Sequence, residues 1–172
     1  MIKRLYEPFL IRWRLTAFLT SAAMLAIAHG FEKIGGLAPC HLCLKEREVY
    51  WVALTVALIG MIAVRTKLGA NWKRLFNAAL GLIFLFGMGL AIYHAGAEWK
   101  WWPGPSTCAG GAGVKVTAAS MAELMNGVGS IKPPACDTAA WVFLGLSMAG
   151  WNALISLKLA VLSFIATRKA YA

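Results

Sequence analysis

Long apolar segments alternate with short charged ones along this chain. The uncharged runs cover residues 15–31, 50–64, 75–97 and, interrupted only by Lys158, 141–167. A helix that crosses a bilayer needs about 20 largely apolar residues, with a range of about 17–25. The pattern therefore predicts an all-α membrane protein of one domain, a bundle of four transmembrane helices near 14–33, 44–65, 74–96 and 145–167.

Composition supports the membrane assignment. Of the 172 residues, 60% are hydrophobic and 14% are charged, whereas a soluble domain has about 45–50% apolar and about 25% charged residues. The formal net charge of +10 could suggest nucleic acid, but no polar basic domain carries it. We therefore expect a membrane lipid environment and no nucleic-acid partner.

The distribution of charge predicts the orientation of the helices. All of the excess positive charge lies in 1–14, 65–74 and 158–169, whereas 32–48 and 98–137 are each neutral. Because Lys and Arg are retained on the cytoplasmic side, both termini should be cytoplasmic. The loops near 34–43 and 97–144 should then be periplasmic, in an oxidising compartment. Cleavage of the first segment as a signal peptide, after a motif such as Ala26-Ile27-Ala28, is an alternative that leaves this orientation unchanged.

The second of these loops is long and differs in composition from the apolar segments. Its two arms are rich in glycine and proline, which disfavour regular structure. Between them, residues 116–125 carry apolar side chains at helical spacing and predict a short amphipathic helix on the membrane surface. Trp99, Trp101 and Trp102 are typical of the membrane interface.

All of the cysteines fall in the two outer loops, and two of them form a C-x-x-C pair, Cys40 and Cys43. Such pairs are typical of redox or metal sites; haem attachment is excluded because Leu44 replaces the required histidine. Zinc is disfavoured because Cys108 and Cys136 do not form a second close pair. Two structural disulfides are the main alternative, although a loop as small as C-x-x-C gains little stability from closure.

The residues that follow this pair extend the redox hypothesis. Cys43 is expected near the start of the second helix, where the helix N-terminus and Arg47 would lower its pKa. An oxidant that lives in the bilayer is a lipid quinone, and Arg47 could donate to its carbonyl oxygen; an interfacial arginine paired with Glu46 or Glu48 is the alternative. His94, near the outer end of the third helix, is a candidate proton donor to a quinone, or else an interfacial histidine.

The chain resembles the DsbB family of membrane oxidases. The resemblance rests on four spans, on Cys40-His41-Leu42-Cys43-Leu44-Lys45-Glu46-Arg47, on two cysteines in the second outer loop, and on Phe143-Leu144-Gly145-Leu146. It implies that a DsbA-like periplasmic thioredoxin-fold oxidase attacks Cys108, whose disulfide partner would be Cys136. Electrons would then pass through Cys40 and Cys43 to ubiquinone or menaquinone, with Cys43 and Arg47 next to the quinone.

The sequence therefore predicts a quinone-dependent thiol:disulfide oxidoreductase of the bacterial inner membrane. The catalytic residues would be Cys40, Cys43, Cys108 and Cys136; the quinone-binding residues would be Cys43, Arg47 and His94; and no metal is expected. A membrane scaffold with two structural disulfides and a quinone-linked disulfide reductase or isomerase remain as alternatives.

Overall fold

Four long helices form most of the structure. The computed structural model describes residues 12–65, 70–105 and 136–169. Its helices are α1 (Trp13–Lys33), α2 (His41–Arg65), α3 (Ala70–Glu98) and α4 (Met148–Lys169). The predicted helical architecture is thus confirmed, with helix ends that shift by a few residues. The predicted amphipathic helix at 116–125 lies outside the described residues.

Three of these helices are long and apolar enough to cross a membrane. They are α1, α3 from Asn71 onward, and α4. Among the described residues α2 does not belong to this set. Its first two turns carry the charged residues 45–48, and its uncharged run is only 50–64. The chain therefore has the helices of a membrane protein, and a count of four spans stays a prediction.

The start of α2 is fixed by the short segment before it. Gly36 has a φ of +66°, a left-handed conformation that glycine adopts without strain. Pro39 follows, and the carbonyl of Cys40 accepts the Leu44 N–H at 3.1 Å. Cys40 is therefore the N-cap residue of α2. The helix begins at His41, before the predicted start near residue 44.

A small hairpin precedes α4, where the sequence predicted that the last helix begins near residue 145. Strand β1 (Val142–Phe143) pairs antiparallel with β2 (Leu146–Ser147). Leu144 and Gly145 between them have φ values of 52° and 78°, and a two-residue turn with positive φ at both positions matches the twist of a hairpin. The last helix therefore starts at Met148, and this predicted start was wrong.

The helices pack in chain order around small residues. α1 packs mainly on α2, α2 on α3, and α3 most extensively on α4. Ala17, Ala53 and Ala160 are buried at these interfaces, and small side chains let helix backbones approach closely in a membrane. The Trp13 indole N–H donates to the Ser163 hydroxyl at 3.0 Å and joins α1 to α4.

Large apolar side chains cover the outside of this bundle. Leu82 and Phe86 on α3 and Ile62 on α2 are each more than half exposed. An outer surface this apolar suits contact with lipid chains rather than water. Several polar side chains of the helices are buried instead, among them Glu46, His94 and Asn152, and they belong to the site described next.

Candidate functional site

The two cysteines of the C-x-x-C pair meet at the N-terminus of α2. Both carry free thiols, and their sulfur atoms lie 2.6 Å apart. A disulfide has an S–S bond of about 2.05 Å, so little movement separates the two thiols from a disulfide. Cys40 is only 5% exposed. The two thiols are thus close enough to form a disulfide, and their redox role stays a prediction.

The hydrogen bonds around this pair favour the thiolate of Cys40. The Cys43 thiol and the backbone N–H groups of Leu42 and Cys43 hydrogen-bond to Cys40 and lower its pKa, although burial opposes the shift. The Cys43 N–H lies 3.2 Å from the Cys40 sulfur. For Cys43 the hydrogen bond with Cys40, burial and the negative charge of Cys40 raise the pKa.

The predicted lowering of the Cys43 pKa was therefore wrong in this reduced state. The prediction assumed that the helix starts at Cys43. It starts at His41 instead, so Cys40 occupies the N-cap position and its sulfur receives the unpaired N–H groups of the first turn.

His94 of α3 lies directly against this sulfur. Its Nε2 is 3.5 Å from Cys40 Sγ, and its Nδ1 is 2.7 Å from Oε1 of Glu46 on α2. The imidazole is 3% exposed. The fold therefore builds a buried Cys–His–Glu arrangement, in which a carboxylate orients the histidine and the histidine faces a thiol.

A second set of polar groups holds Glu46 in place. The Asn152 amide of α4 donates to Glu46 Oε2 at 2.6 Å. The Tyr50 hydroxyl donates to Asn152 Oδ1 at 2.5 Å and lies 3.2 Å from Ser156 Oγ. Both oxygens of the buried Glu46 carboxylate thus have partners, as a buried charge requires.

Sequence reasoning missed Glu46, Asn152 and Tyr50 as members of this site. One signal was available: Asn152 and Ser156 stand four residues apart in an otherwise apolar segment, so they share one face of α4. Polar residues inside a membrane helix usually face the protein interior. Nothing in the sequence indicated that Glu46 would face His94.

Arg47 faces α1 rather than its neighbours on α2. Its guanidinium forms an ion pair with Glu32 and donates to the Ala28 carbonyl at 3.0 Å. The suggested partners Glu46 and Glu48 are engaged elsewhere, Glu46 by His94 and Glu48 by Lys45. Arg47 is nevertheless close to the cysteines, because it lines the same cavity.

That cavity has a volume of about 340 Å³ and is lined by all four helices and the hairpin. Its walls are mainly apolar and aromatic and include Phe31, Trp141 and Phe143. The predicted site residues Cys40, Cys43, Arg47 and His94 all line it, together with Glu98. An apolar cavity with a few convergent polar groups is the usual form of a small-molecule site.

The second pair of cysteines is described only in part. Cys136 is disulfide-bonded, is 1% exposed, and packs in one buried cluster with Cys40 and Leu42. Cys108 lies outside the described residues. One half of a disulfide from the second loop therefore lies against the C-x-x-C pair.

The same atoms could also hold a metal ion. The sulfurs of Cys40 and Cys43 and a ring nitrogen of His94 lie within 4.8 Å of one another. Thiolate and imidazole are the ligands that zinc prefers. A dithiol that alternates with a disulfide would bind such an ion only in its reduced form.

Comparison with known proteins shows the family to which this chain is similar. A family model described as disulfide bond formation protein DsbB matches residues 11–166. "Disulfide bond formation protein B" of Methylococcus capsulatus is 31% identical over 155 residues, which cover 88% of this chain and 90% of the relative. The protein of the same name from Marinobacter nauticus is 28% identical over 162 residues, covering 90% and 89%. The one from Nitrosomonas europaea is 27% identical over 157 residues, covering 84% and 85%. Since the match extends over nearly the whole chain and includes the C-x-x-C pair, the chain belongs to the DsbB family of membrane proteins that form disulfide bonds.

Proposed function

We propose that this protein is a thiol oxidase of the bacterial inner membrane. It re-oxidises a DsbA-like dithiol protein in the periplasm and passes the electrons to a membrane quinone. The observation that carries the proposal is the position of Cys40 and Cys43 on the wall of an apolar cavity that Arg47 and His94 also line. A dithiol next to such a cavity can transfer electrons to an apolar acceptor that enters from the bilayer.

The cavity fits the headgroup of a quinone. Phe31, Trp141 and Phe143 offer apolar and aromatic surfaces for a flat ring. Arg47 offers donors for a carbonyl oxygen. When bound, ubiquinone or menaquinone would accept two electrons and two protons. The residues of this chain would bind the ring, keep water away from it and supply the protons.

The electrons would pass through two disulfides in series. The partner's dithiol would attack Cys108 in a Cys108–Cys136 disulfide, and the partner's own disulfide would form as this one is reduced. Cys108 and Cys136 would then reduce a Cys40–Cys43 disulfide through Cys40. The burial of Cys136 in the same cluster as Cys40 supports this order. Each exchange forms one disulfide and breaks another, so two electrons and two protons move at every step.

His94 would act as the base for Cys40. Its Nε2 is within reach of the Cys40 sulfur, and Glu46 keeps Nδ1 protonated, so that Nε2 is free to accept the thiol proton. A thiolate is the reactive form of cysteine in exchange. In this role His94 accepts the proton of the Cys40 thiol, and that proton is then available for the quinone.

The proposed topology follows from the charge distribution. α2 would be the fourth span, both termini would be cytoplasmic, and all of the cysteines would face the periplasm. The site would then lie near the outer membrane interface, where a soluble partner and a membrane-borne quinone can both reach it.

Quinone reduction by the purified protein tests the proposal. A reduced DsbA-like partner is supplied with a short-chain ubiquinone or menaquinone analogue, and quinone absorbance is followed. We expect turnover that depends on the partner and is abolished by Cys43→Ser. A structural scaffold would reduce no quinone, and turnover in the Cys43→Ser variant would refute the electron path.

Trapping the partner tests the order of the path. A partner that lacks the second cysteine of its dithiol, the one that resolves the mixed disulfide, should stay bound to Cys108 as a stable mixed disulfide. Capture is read by mass spectrometry of the linked peptides, with Cys108→Ser as the control. Capture at Cys40 would reverse the proposed order.

A further inference from the structure

The imidazole of His94 lies between two carboxyl groups whose surroundings differ. Glu46 approaches Nδ1 from α2, and Glu98, one turn further along α3, approaches Nε2 with Oε1 at 3.8 Å. Both carboxyl groups are largely buried; the side chain of Glu98 is 5% exposed. The two nitrogens of one histidine therefore each face a different glutamate.

Each oxygen of Glu46 already has a protein partner. Its Oε1 is taken by His94 and its Oε2 by the Asn152 amide. A carboxylate fixed at both oxygens by protein groups orients its neighbours. It is poorly suited to pick up a proton and hand it on.

Glu98 is the opposite case. Its Oε2 is buried without a hydrogen-bond partner among the described residues. Glu98 also lines the cavity that contains Cys40 and Cys43. Rotation of a carboxyl group about its terminal torsion is easy. A rotation that brings Glu98 Oε1 from 3.8 Å to within hydrogen-bond distance of His94 Nε2 would let Glu98 take up a proton there and turn it toward the cavity.

The proposed reaction requires a group that transfers protons from the dithiol to the quinone. Oxidation of the Cys40–Cys43 dithiol releases two electrons and two protons, and reduction of a quinone takes up the same number of each. Nε2 of His94 lies between Cys40 Sγ at 3.5 Å and Glu98 Oε1 at 3.8 Å. A proton that leaves the Cys40 thiol can thus pass to His94, then to Glu98, then to an oxygen atom in the cavity.

We propose that Glu98 is the proton-transferring residue between His94 and the quinone. Glu46, in contrast, is a positioning residue for His94. This inference rests on the proposed function, because it takes the acceptor in the cavity to be a quinone. It adds Glu98 to the proposed path of the proton, from His94 to the quinone, and gives Glu46 and Glu98 different roles.

Glu98→Gln tests the inference, because glutamine keeps the shape and hydrogen bonding of the side chain but carries no transferable proton. We expect partner-dependent reduction of a short-chain ubiquinone analogue to fall about a hundredfold, within the usual contribution of proton transfer by a positioned side chain. The dissociation constant of the analogue, measured by tryptophan quenching, should change less than about twofold. Added formate, a small diffusible acid, should restore part of the rate.

Infrared difference spectra of the quinone-free protein supply a readout besides turnover. Conversion between the Cys40–Cys43 dithiol and disulfide should change a carboxyl C=O band, because the proton carried by Glu98 depends on the state of Cys40. The band should be lost in Glu98→Gln, and it should persist in Glu98→Asp and in Glu48→Gln, which alters an exposed residue of α2. Thermal unfolding confirms that each variant is folded.

Two results would overturn the role of Glu98: turnover of Glu98→Gln within about twofold of the unaltered protein, or a redox-linked carboxyl band that survives this substitution. Failure of the unaltered protein to reduce any quinone would instead refute the proposed function. The infrared band needs no quinone, so it separates the two failures.

Discussion

Oε1 of Glu46 lies 2.7 Å from Nδ1 of His94, and this contact joins α2 to α3 at the centre of the site. A carboxylate can only accept, so Nδ1 must carry the proton and Nε2 presents its lone pair. That lone pair faces Cys40 Sγ at 3.5 Å. One hydrogen bond thus sets the tautomer that a base for Cys40 requires.

Removal of the Glu46 charge should slow the enzyme without unfolding it. Glu46→Gln keeps an oxygen for Nδ1 but no longer stabilises a protonated imidazole. We expect partner-dependent quinone reduction to fall about tenfold, equivalent to about 1.4 kcal/mol in the barrier. Glu48→Gln, two residues further along α2 and paired with Lys45 on the surface, should leave the rate unchanged. Equal rates in the two variants would contradict the orienting role.

The pKa of Cys40 should rise when Cys43 is removed. The hydrogen bond from the Cys43 thiol is the largest cause of the lowered Cys40 pKa. In Cys43→Ala this donor is lost, so at a fixed pH below the new pKa less thiolate is present and alkylation by iodoacetamide slows. Cys43→Ser keeps a hydroxyl donor and should slow it less.

This measurement is made with Cys108 and Cys136 replaced by alanine, so that no other thiol reacts. His41→Ala, an exposed neighbour in the same turn, is the control and should not change the pH profile. A profile that does not move in Cys43→Ala would show that the backbone N–H groups alone stabilise the thiolate.

Substitution of Arg47 should weaken quinone binding more than it slows thiol exchange. Its guanidinium lines the cavity and is held by Glu32 and the Ala28 carbonyl. Arg47→Ala is therefore expected to raise the KM for a short-chain quinone, with a smaller change in kcat. Lys45→Ala, in the same turn but on the surface, should not. Quinone kinetics unchanged by Arg47→Ala would remove Arg47 from the binding site.

Loss of the Asn152 amide should destabilise the fold. Asn152→Ala leaves Glu46 Oε2 without its donor and leaves the Tyr50 hydroxyl with Ser156 Oγ as its remaining partner. An unsatisfied buried polar group costs about 1–3 kcal/mol. Thermal unfolding in detergent should show a clear decrease in midpoint. Leu154→Ala, at a side chain that is nearly half exposed on the same helix, should change the midpoint less.

Two glycines of α3 should respond in opposite directions to alanine. A Cβ at Gly96 would lie 2.0 Å from the Trp102 ring, whereas one at Gly89 would have no neighbour within 4 Å. Gly96→Ala must displace a ring that stacks on Tyr93 and should cost about 1–3 kcal/mol. Gly89→Ala should gain up to about 1 kcal/mol from helix propensity. Unfolding midpoints and tryptophan fluorescence check both.

Much of the fold could be predicted because its cause is local. The long apolar runs correctly predicted helices. The predicted helix ends were wrong where the backbone forms a turn or an N-cap that the apolar pattern does not show. The hairpin replaced the first residues of the helix predicted near 145–167, because Leu144 and Gly145 adopt positive φ and Leu146–Ser147 form a strand. Cys40 is the N-cap residue and Cys43 lies inside the first turn, because α2 starts at His41 and not near residue 44.

The sequence by itself determined the helical membrane character and the C-x-x-C pair of Cys40 and Cys43, with Arg47 one helix turn after the second cysteine. These follow from composition and from spacing within one helix turn. Only the tertiary structure decided which thiol is the more acidic, and that His94 lies between Glu46 and Glu98. It also joined Asn152 of α4 to Glu46. The physical reason is that these contacts link helices far apart in the chain, and no local pattern specifies which faces of two helices meet.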